Sequence, residues 1–324
     1  MSPGSTSSPR RRAVAVLAIA GLLSLLLIVR VPGQGVWHGV MLNAVHGPIF
    51  ALVAVLLLVL RAPAARSQLS AYWTAFFAAV VFGGIIEFLQ SFQDRPPSWF
   101  DMMTDAAGAS AGLALWAFFE RRRASAFQLK QLNGPWLPVA IALAGVTFVA
   151  WPPLQAARAY AHRAAVFPSI AEFHGPQDLA FVTTSGTAAD IAPLPAPWGQ
   201  GPDDLALRVS YDEQYAPSVQ VVEPSHDWRG YTIIAVDITN PSPQELSLTF
   251  RILDAAHDWS HEDRLNLPLR IPPSTRTTVR VALGAVEAAP ERRPMDMTRI
   301  ANVMLFGRES PQPAEMYVSR IWLE

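Results

Sequence analysis

Five long apolar runs fill the first half of this sequence, and the second half has no comparable run. A helix needs roughly 20 consecutive apolar residues to cross about 30 Å of hydrocarbon, and each run approaches that length. Only 16% of the residues are charged, whereas soluble proteins carry about 25%. We therefore predict five membrane-spanning helices, at residues 13–29, 39–60, 71–90, 100–119 and 135–152.

The first run follows Arg10, Arg11 and Arg12, an arrangement that also occurs in cleaved signal peptides. No small-x-small cleavage site follows the run, which ends at Arg30 and Pro32. Because four more apolar runs come after it, we expect an uncleaved helix rather than a signal peptide.

Basic residues are concentrated in alternate loops between the predicted helices, which is the pattern of cytoplasmic loops. The opposite loops hold one arginine each, Arg30 and Arg95. This predicts a cell-membrane protein, inner or plasma, with a cytoplasmic tail at residues 1–12 and everything after Pro152 outside. The cytoplasmic basic residues are Arg10, Arg11, Arg12, Arg61, Arg66, Arg121, Arg122, Arg123 and Lys130.

Charge separates the two halves of the chain. Residues 1–152 hold 11 Lys or Arg and 5 Asp or Glu, while residues 153–324 hold 14 and 21. Such asymmetry is typical of a membrane portion joined to a soluble portion. The arginines flank apolar runs instead of forming a basic face, so we predict no nucleic-acid partner. The sequence has no cysteine, which excludes disulfides, thiolate metal sites and cysteine nucleophiles.

Short β-type runs alternate with turn residues from Leu205 onward. Eight short strands and no long helix predict an antiparallel, jelly-roll-like β-sandwich at residues 205–324. Residues 153–204 are predicted as an extracytoplasmic linker with an amphipathic helix near 154–166. The expected fold is thus an α-helical transmembrane bundle followed by an all-β sandwich. The predicted strands are 206–210, 218–222, 231–238, 245–252, 267–271, 277–283, 302–306 and 316–323.

Several polar side chains lie inside the predicted spans, where a charge costs about 2.5–3.5 kcal/mol at the helix centre. Glu87 is one turn from the end of the third helix and Asp105 one turn into the fourth. At about 1.5 Å rise per residue, both reach a similar depth near the outer surface. Asn43 and His46, spaced i and i+3, share a face of the second helix. We predict that these four side chains converge.

Each polar residue also has a structural interpretation. Asp101 lies near the start of the fourth helix, where a carboxylate favours the helix dipole. His46 fits a hydrogen-bonded core histidine as well as a site residue. Arg95 fits an ion pair with Asp101 or contact with an anionic lipid head group. Gly108 and Gly112 have a spacing typical of close helix packing.

The pattern Glu87-x-x-Gln90, then Arg95, then Asp101-x-x-x-Asp105 with two following glycines resembles the signature of VanZ-like membrane proteins. The resemblance covers about residues 13–123 as a four-helix membrane domain, leaving 124–152 as a cytoplasmic loop and fifth helix. Asp105 stands where the family commonly has asparagine. The family is named after a protein linked to glycopeptide (teicoplanin) resistance, and its biochemical activity is not established. The resemblance implies a role in the cell envelope and no particular reaction. The candidate ligand-binding residues, from the family pattern and from the polar side chains within the spans, are Asn43, His46, Glu87, Gln90, Arg95, Asp101 and Asp105.

The C-terminal half contains runs such as Trp228-Arg229-Gly230-Tyr231 that are similar to jelly-roll domains of the carbohydrate-binding-module and galactose-binding-like type. Such domains stack sugar rings on exposed aromatic side chains, which suit the apolar face of a pyranose. Trp228 and Tyr231 fit a buried core as well as a sugar site. The stacking candidates are Trp198, Tyr211, Trp228, Tyr231 and Trp259.

Trp259 lies in a very polar loop that includes His257, Asp258, His261 and Asp263. The spacing of these residues fits no standard metal site, so we predict no metal and no cofactor. A structural calcium in the sandwich is the alternative.

Three functions remain, because the sequence has no nucleophile elbow, phosphate loop or HExxH motif. The leading hypothesis is a non-catalytic envelope protein whose partners are the lipid bilayer and an envelope glycan or lipid-linked saccharide. The second is an intramembrane enzyme acting on a lipid-linked saccharide, with Glu87 or Asp105 as general acid/base and His46 as partner. The third is a structural anchor that displays the sandwich.

Overall fold

The computed structural model describes residues 9–28, 35–61, 67–93, 98–123, 136–211, 218–225, 227–307 and 314–324. The chain divides into two compact units, Met1–Leu154 and Gln155–Glu324. The first unit is helical and the second is built mainly of β-strands.

The helical unit consists of long apolar helices joined through small-residue contacts. A methyl group added to Gly112 would lie 2.6 Å from the carbonyl oxygen of Ala51, and one added to Gly108 would lie still closer to the carbonyl oxygen of Gly47. These glycines therefore allow the close helix packing that their spacing predicts. The helices are α1 (Pro9–Ile28), α2 (Val36–Ala44), α3 (His46–Arg61), α4 (Gln68–Gln90), α5 (Trp99–Arg123) and α6 (Trp136–Val166), which extends into the second unit.

Three segments of the described chain are long and apolar enough to cross a membrane: Val36–Arg61, Gln68–Gln90 and Trp136–Val166. Helices also occupy the other two predicted spans, as α1 and α5. The membrane insertion of all five predicted spans, their count and their orientation stay predictions.

The helix of the fifth predicted span and the amphipathic helix predicted near 154–166 form one continuous helix, α6, which runs through Pro152 and Pro153 to Val166. Proline removes a backbone hydrogen bond and usually bends or ends a helix. Here the following segment is rich in alanine, the strongest helix former. Its end is also held within the second unit, where Arg163 lies 3.3 Å above the ring of Phe181 and donates to the carbonyl oxygen of Val222 at 3.0 Å.

The second unit is a β-sandwich of two antiparallel sheets. One sheet has the order β3-β4-β11-β6-β9, with β1 also paired to β11, and the other has the order β2-β5-β10-β7-β8. Two short helices, α7 (Pro176–Leu179) and α8 (Leu283–Glu287), occur between strands. The strands are β1 (Ser169–Ala171), β2 (Val182–Ser185), β3 (Thr187–Pro193), β4 (Leu205–Tyr211), β5 (Ser218–Val222), β6 (Ile233–Asn240), β7 (Leu246–Asp254), β8 (Leu265–Ile271), β9 (Thr275–Ala282), β10 (Ile300–Gly307) and β11 (Ala314–Leu323).

All eight predicted strands are present, as β4 to β11. Strand β7 alternates between buried and more exposed residues along its length, as a strand with one face on the core should. Side chains from both sheets, among them Leu207 and Val318 from one and Val219 and Leu305 from the other, line a single interior gap of about 10 Å³. The prediction of an antiparallel sandwich is therefore confirmed.

The predicted linker at residues 153–204 is wrong, because this segment contains β1, β2 and β3 as well as the end of α6. These strands pair with β11, β5 and β4, respectively. Strand β2, with the sequence Val-Thr-Thr-Ser, carries little apolar alternation. It forms through pairing with a neighbouring strand rather than through a strong local pattern.

Candidate functional site

A buried contact between a histidine and an aspartate joins two helices of the first unit. Nδ1 of His46, at the start of α3, lies 3.1 Å from Oδ1 of Asp105 in α5, and both side chains are at most 2% exposed. Helix α4 makes room for this carboxylate with a glycine, because a methyl group at Gly83 would lie 2.5 Å from Oδ2 of Asp105. Three helices therefore meet at Asp105.

Glu87 and Gln90 lie in the last turn of α4, beyond Gly83, and both are buried. Oε2 of Glu87 accepts a hydrogen bond from the backbone N–H of Ser98 at 2.9 Å. Nε2 of Gln90 donates to the carbonyl oxygen of Leu26 at 3.2 Å. Oε1 of Glu87 and Oδ2 of Asp105 accept no hydrogen bond from the part of the chain that the structure describes.

The structure thus places His46 against Asp105, and Glu87 is buried on α4 one helical turn from Gly83, the residue that faces Asp105. Asp101 is buried in the first turn of α5, the position favoured for a helix-capping carboxylate. Asn43 is half-buried in α2, one residue before that helix gives way to α3. Arg95 lies outside the described residues.

The aromatic candidates of the sandwich differ sharply in exposure. Trp228 is fully buried, and its indole N–H donates to the carbonyl oxygens of Pro224 and Ser225 at 2.9 and 2.7 Å. This residue belongs to the core, so its prediction as a stacking residue is wrong: both its ring face and its polar atom are already used. Trp259, in contrast, is 81% exposed.

Two of the other aromatic candidates, Tyr231 and Trp198, lie between these extremes. Tyr231 is half-buried, with its ring edge-on to Phe167 at 5.4 Å between centroids. Trp198 is half-buried in the turn before β4. Tyr211 ends β4, and its side chain lies outside the described part of the chain.

Trp259 sits on a loop, residues 255–264, that is fixed by hydrogen bonds. The backbone N–H of Asp258 donates to Oδ2 of Asp263 at 2.9 Å, and the N–H of Ser260 donates to Oδ1 of Asp258 at 2.8 Å. Nδ1 of His257 lies 2.8 Å from the carbonyl oxygen of Asp263. Since a carbonyl oxygen only accepts, Nδ1 carries the proton. Trp259 itself has a φ of 69°, a backbone conformation that this network stabilises.

Arg293 ties this loop to the end of β7. Its Nη1 and Nη2 lie 2.5 and 2.7 Å from the carboxylate oxygens of Asp254. Its Nε and Nη2 lie 2.8 and 2.9 Å from those of Asp263. Burial would raise the pKa of Asp254, but the hydrogen bonds from Arg293 and from the backbone of Asp296 bring it below the usual value. The hydrogen bond from Arg293 likewise lowers the pKa of Asp263.

His257, Asp258 and Asp263 offer ligand atoms that all lie within 4.8 Å of one another, close enough to surround a cation. Arg293 already lies within 2.9 Å of both carboxylate oxygens of Asp263. A divalent cation at this position would meet the guanidinium charge at short range, which is unfavourable in a partly buried setting. The geometry therefore favours the arginine cross-link over a metal ion.

Sequence reasoning missed a row of polar and aromatic side chains on the partly exposed face of the second sheet. Nε of Arg251 donates to Oδ1 of Asn266 at 2.8 Å, and the guanidinium carbon lies 4.3 Å from the centre of the Phe306 ring. Nδ2 of Asn302 donates to Oε1 of Gln220 at 2.6 Å. Nothing in the sequence singles these residues out, because they belong to four different strands and only strand pairing brings them together.

This row continues into the loop that carries Trp259. Nδ2 of Asn266 donates to the carbonyl oxygen of His261 at 3.3 Å. Strand alternation places Arg251 on the outer face, since its neighbours Phe250 and Ile252 are fully buried. We call this arrangement the sheet-face site, defined by Gln220, Arg251, Asn266, Asn302 and Phe306.

Comparison with known proteins gives similarities of fold for about half of the chain. No family model matches the chain, and no curated protein matches it. The resemblance of residues 13–123 to VanZ-like proteins therefore stays a prediction.

Several solved structures are similar to the chain over 48% of its length. The family 11 carbohydrate-binding module from Clostridium thermocellum, in complex with a β-1,3-1,4-mixed-linked tetrasaccharide, is 13% identical, is covered over 93% of its chain and has a TM-score of 0.36. The xylan-binding CBM22-1 domain from Paenibacillus barcinonensis Xyn10C is 10% identical, with 94% covered and a TM-score of 0.34. An exo-β-agarase is 13% identical, with 25% covered and a TM-score of 0.39.

Proposed function

We propose that the β-sandwich binds a glycan outside the cell and that the helical unit anchors it in the membrane. The observation that carries the proposal is Trp259, 81% exposed on a loop fixed by hydrogen bonds. A flat aromatic ring suits the apolar face of a pyranose. Because the loop already holds this ring in place, little further ordering is needed on binding, and such preorganisation favours affinity.

The sheet-face site supplies the polar groups that a sugar requires beside an aromatic ring. Guanidinium and amide groups donate hydrogen bonds to sugar hydroxyls, and amide oxygens accept them. Oδ1 of Asn302 is buried and accepts no hydrogen bond from the described residues. Apolar contact area with a few placed polar groups is the usual composition of a ligand site.

The three apolar segments support the anchoring role. In the predicted topology the chain leaves the membrane near residue 152, so the sandwich reaches envelope glycans directly. The lipid bilayer is then the partner of the helical unit, and an envelope glycan or lipid-linked saccharide the partner of the sandwich.

Binding of a panel of envelope oligosaccharides to the full-length protein in detergent tests this proposal by calorimetry. Trp259→Ala is expected to weaken binding about tenfold or more, since removal of an aromatic platform loses stacking and apolar contact. Trp259→Phe should retain part of the affinity. Trp198→Ala is the matched control, because it removes a half-buried tryptophan that lies outside the loop.

Equal affinities for the wild type and Trp259→Ala would refute the assigned site. Failure of every oligosaccharide to bind would refute glycan binding itself. A loss of affinity in Trp198→Ala as large as in Trp259→Ala would move the site away from the loop.

The buried polar region of the helical unit supports a second candidate, an intramembrane enzyme acting on a lipid-linked saccharide. Oε1 of Glu87 and Oδ2 of Asp105 lack hydrogen-bond donors among the described residues. A carboxyl oxygen that is not already hydrogen-bonded within the protein can exchange a proton with a substrate, as general acid–base catalysis requires. His46, 3.1 Å from Asp105, would be its partner.

Glu87→Gln and Asp105→Asn separate catalysis from structure, because both keep the shape of the side chain. For an enzyme, these changes should abolish turnover of a lipid-linked saccharide while membrane insertion and thermal stability stay nearly unchanged. Losses of stability and function in proportion would identify the polar region as structural.

A further inference from the structure

Arg251 of the sheet-face site and Arg264 next to it form no ion pair with an acidic residue in the part of the chain that the structure describes. Arg251 lies in β7, and Arg264 immediately precedes β8, two residues before Asn266. Among the described residues, the guanidinium of Arg251 donates only to the Asn266 amide and stacks on Phe306. Nε of Arg264 is buried and donates to no acceptor in the described part of the chain.

Three other arginines of the second unit, in contrast, form ion pairs with carboxylates. Arg292 lies 3.4 Å from Glu262, Arg270 lies 4.0 Å from Glu245, and Arg293 binds two carboxylates. These side chains have their charges balanced within the protein. Arg251 and Arg264 are thus set apart, although both are partly buried and acidic residues are common in this unit.

The two unbalanced arginines also act on each other. Burial lowers the pKa of Arg251, and the charge of Arg264 lowers it further. Holding two like charges together in a partly buried place raises the free energy of the unliganded protein. A group that is negatively charged and accepts hydrogen bonds from both arginines would relieve this repulsion. The planar guanidinium fork matches the paired oxygens of carboxylate, sulfate and phosphate groups.

We propose that the sandwich binds an anionic glycan, one that carries carboxylate, sulfate or phosphate groups, and that Arg251 and Arg264 hold these charged groups. Trp259 and Arg264 belong to the same loop, and hydrogen bonds link Arg251 through Asn266 to that loop. One ligand can therefore place a sugar ring on the tryptophan and its charge on the arginines. This inference rests on the proposed glycan-binding function and names the class of its ligand.

Four soluble polymers test the inference with the full-length protein immobilised in detergent: polygalacturonate, dextran sulfate, poly(glycerol phosphate) and neutral dextran. At least one acidic polymer is expected to bind with about tenfold or more higher affinity than dextran. The reason is that one charge-assisted hydrogen bond raises affinity about 10- to 100-fold. Its affinity should fall as salt rises from about 0.05 to 0.5 M. The polymer that binds identifies the charged group.

Arginine variants then separate a built site from general attraction to polyanions. Arg251→Gln and Arg264→Gln should each weaken binding of the acidic polymer about tenfold. Arg251→Lys should lose less, because it keeps the charge without the planar fork. Arg270→Gln is the matched control: it removes the same charge from β8, where the side chain is 83% exposed, and should leave affinity unchanged. Circular dichroism melting checks that each variant is folded.

Two outcomes would overturn the inference while glycan binding stands. One is that dextran binds as tightly as every acidic polymer, and the other is that Arg270→Gln weakens binding as much as Arg251→Gln. If no polymer binds and Trp259→Ala also leaves the oligosaccharide panel unaffected, the proposed function fails together with the inference.

Discussion

Replacing Arg293 with methionine should destabilise the sandwich by about 3 kcal/mol. Removing one partner of a buried ion pair costs about 3–5 kcal/mol, and the lower end applies because the Arg293 side chain is 29% exposed. Asp254, 1% exposed, would keep only the backbone N–H groups of Asp296 and Ala256, at 2.7 and 3.2 Å. Methionine retains the apolar stem of the arginine, so little packing is lost.

Thermal unfolding of a fragment of residues 155–324, followed by circular dichroism, measures this effect. A domain of this size loses about 2–4 °C in Tm per kcal/mol, so a decrease of about 10 °C is expected. Arg292→Met is the matched control. That side chain is 78% exposed and makes one ion pair, with Glu262 at 3.4 Å, which is worth less than about 1 kcal/mol.

At acid pH the difference in Tm between the wild type and Arg293→Met should become smaller. The folded-state pKa values of Asp254 and Asp263 lie below the usual aspartate value. The two carboxylates therefore contribute their full stabilisation of the fold when the pH is above the usual aspartate pKa. This contribution is lost as the pH falls through their lowered folded-state pKa values. Equal decreases in Tm for Arg292→Met and Arg293→Met would refute the role of Arg293 as a cross-link. So would a Tm difference between the wild type and Arg293→Met that grows below about pH 4.

Three further predictions concern the two units. Reporter fusions after Arg123 and after Glu324 should report opposite sides of the membrane, and a common side would contradict the five-span topology. The isolated second unit should be soluble, β-rich by circular dichroism and cooperative in unfolding, and a helix-dominated or unfolded product would contradict a separable sandwich. Gly83→Ala should lower the Tm of the detergent-purified protein, because its methyl group would lie 2.5 Å from a buried carboxylate oxygen. Gly84→Ala, whose nearest contact would be 3.9 Å away, should stabilise the helix by up to about 1 kcal/mol, and equal shifts would contradict this packing.

The fold was predictable where a strand carries its own pattern. Strand β7 alternates strictly because one of its faces lies on the core, and a sequence records this alternation directly. Strands β1 and β2 escaped prediction because they have only three and four residues. Strand β3 has seven residues but none of them is buried, so it depends on pairing with β4. The continuation of α6 through Pro152 and Pro153 escaped prediction for a similar reason, since contacts at Arg163 hold the end of the helix.

Some residues of the candidate sites were also predictable from the sequence, and others were not. The cost of burying carboxylates and the rise of a helix suffice to place Glu87, Asp105 and His46 in one region. The polar residues around Trp259 indicated an exposed loop, and this tryptophan is 81% exposed. For Trp228 the sequence left both the core and a sugar site open, and only the structure shows that it is fully buried. The sheet-face site depends on strand register, which no short-range pattern reveals.

The central position of β11 has a consequence for how the sandwich is made. This strand lies between β4 and β6, and it pairs Val318 with Leu207, more than a hundred residues earlier in the chain. Closing such long loops makes folding slow. Until residue 323 has been synthesised, β4 and β6 present unpaired edges that can pair with other chains. In the predicted topology the sheet is therefore completed only after the whole domain has crossed the membrane, so protection against aggregation during that interval has to come from the compartment into which the domain emerges.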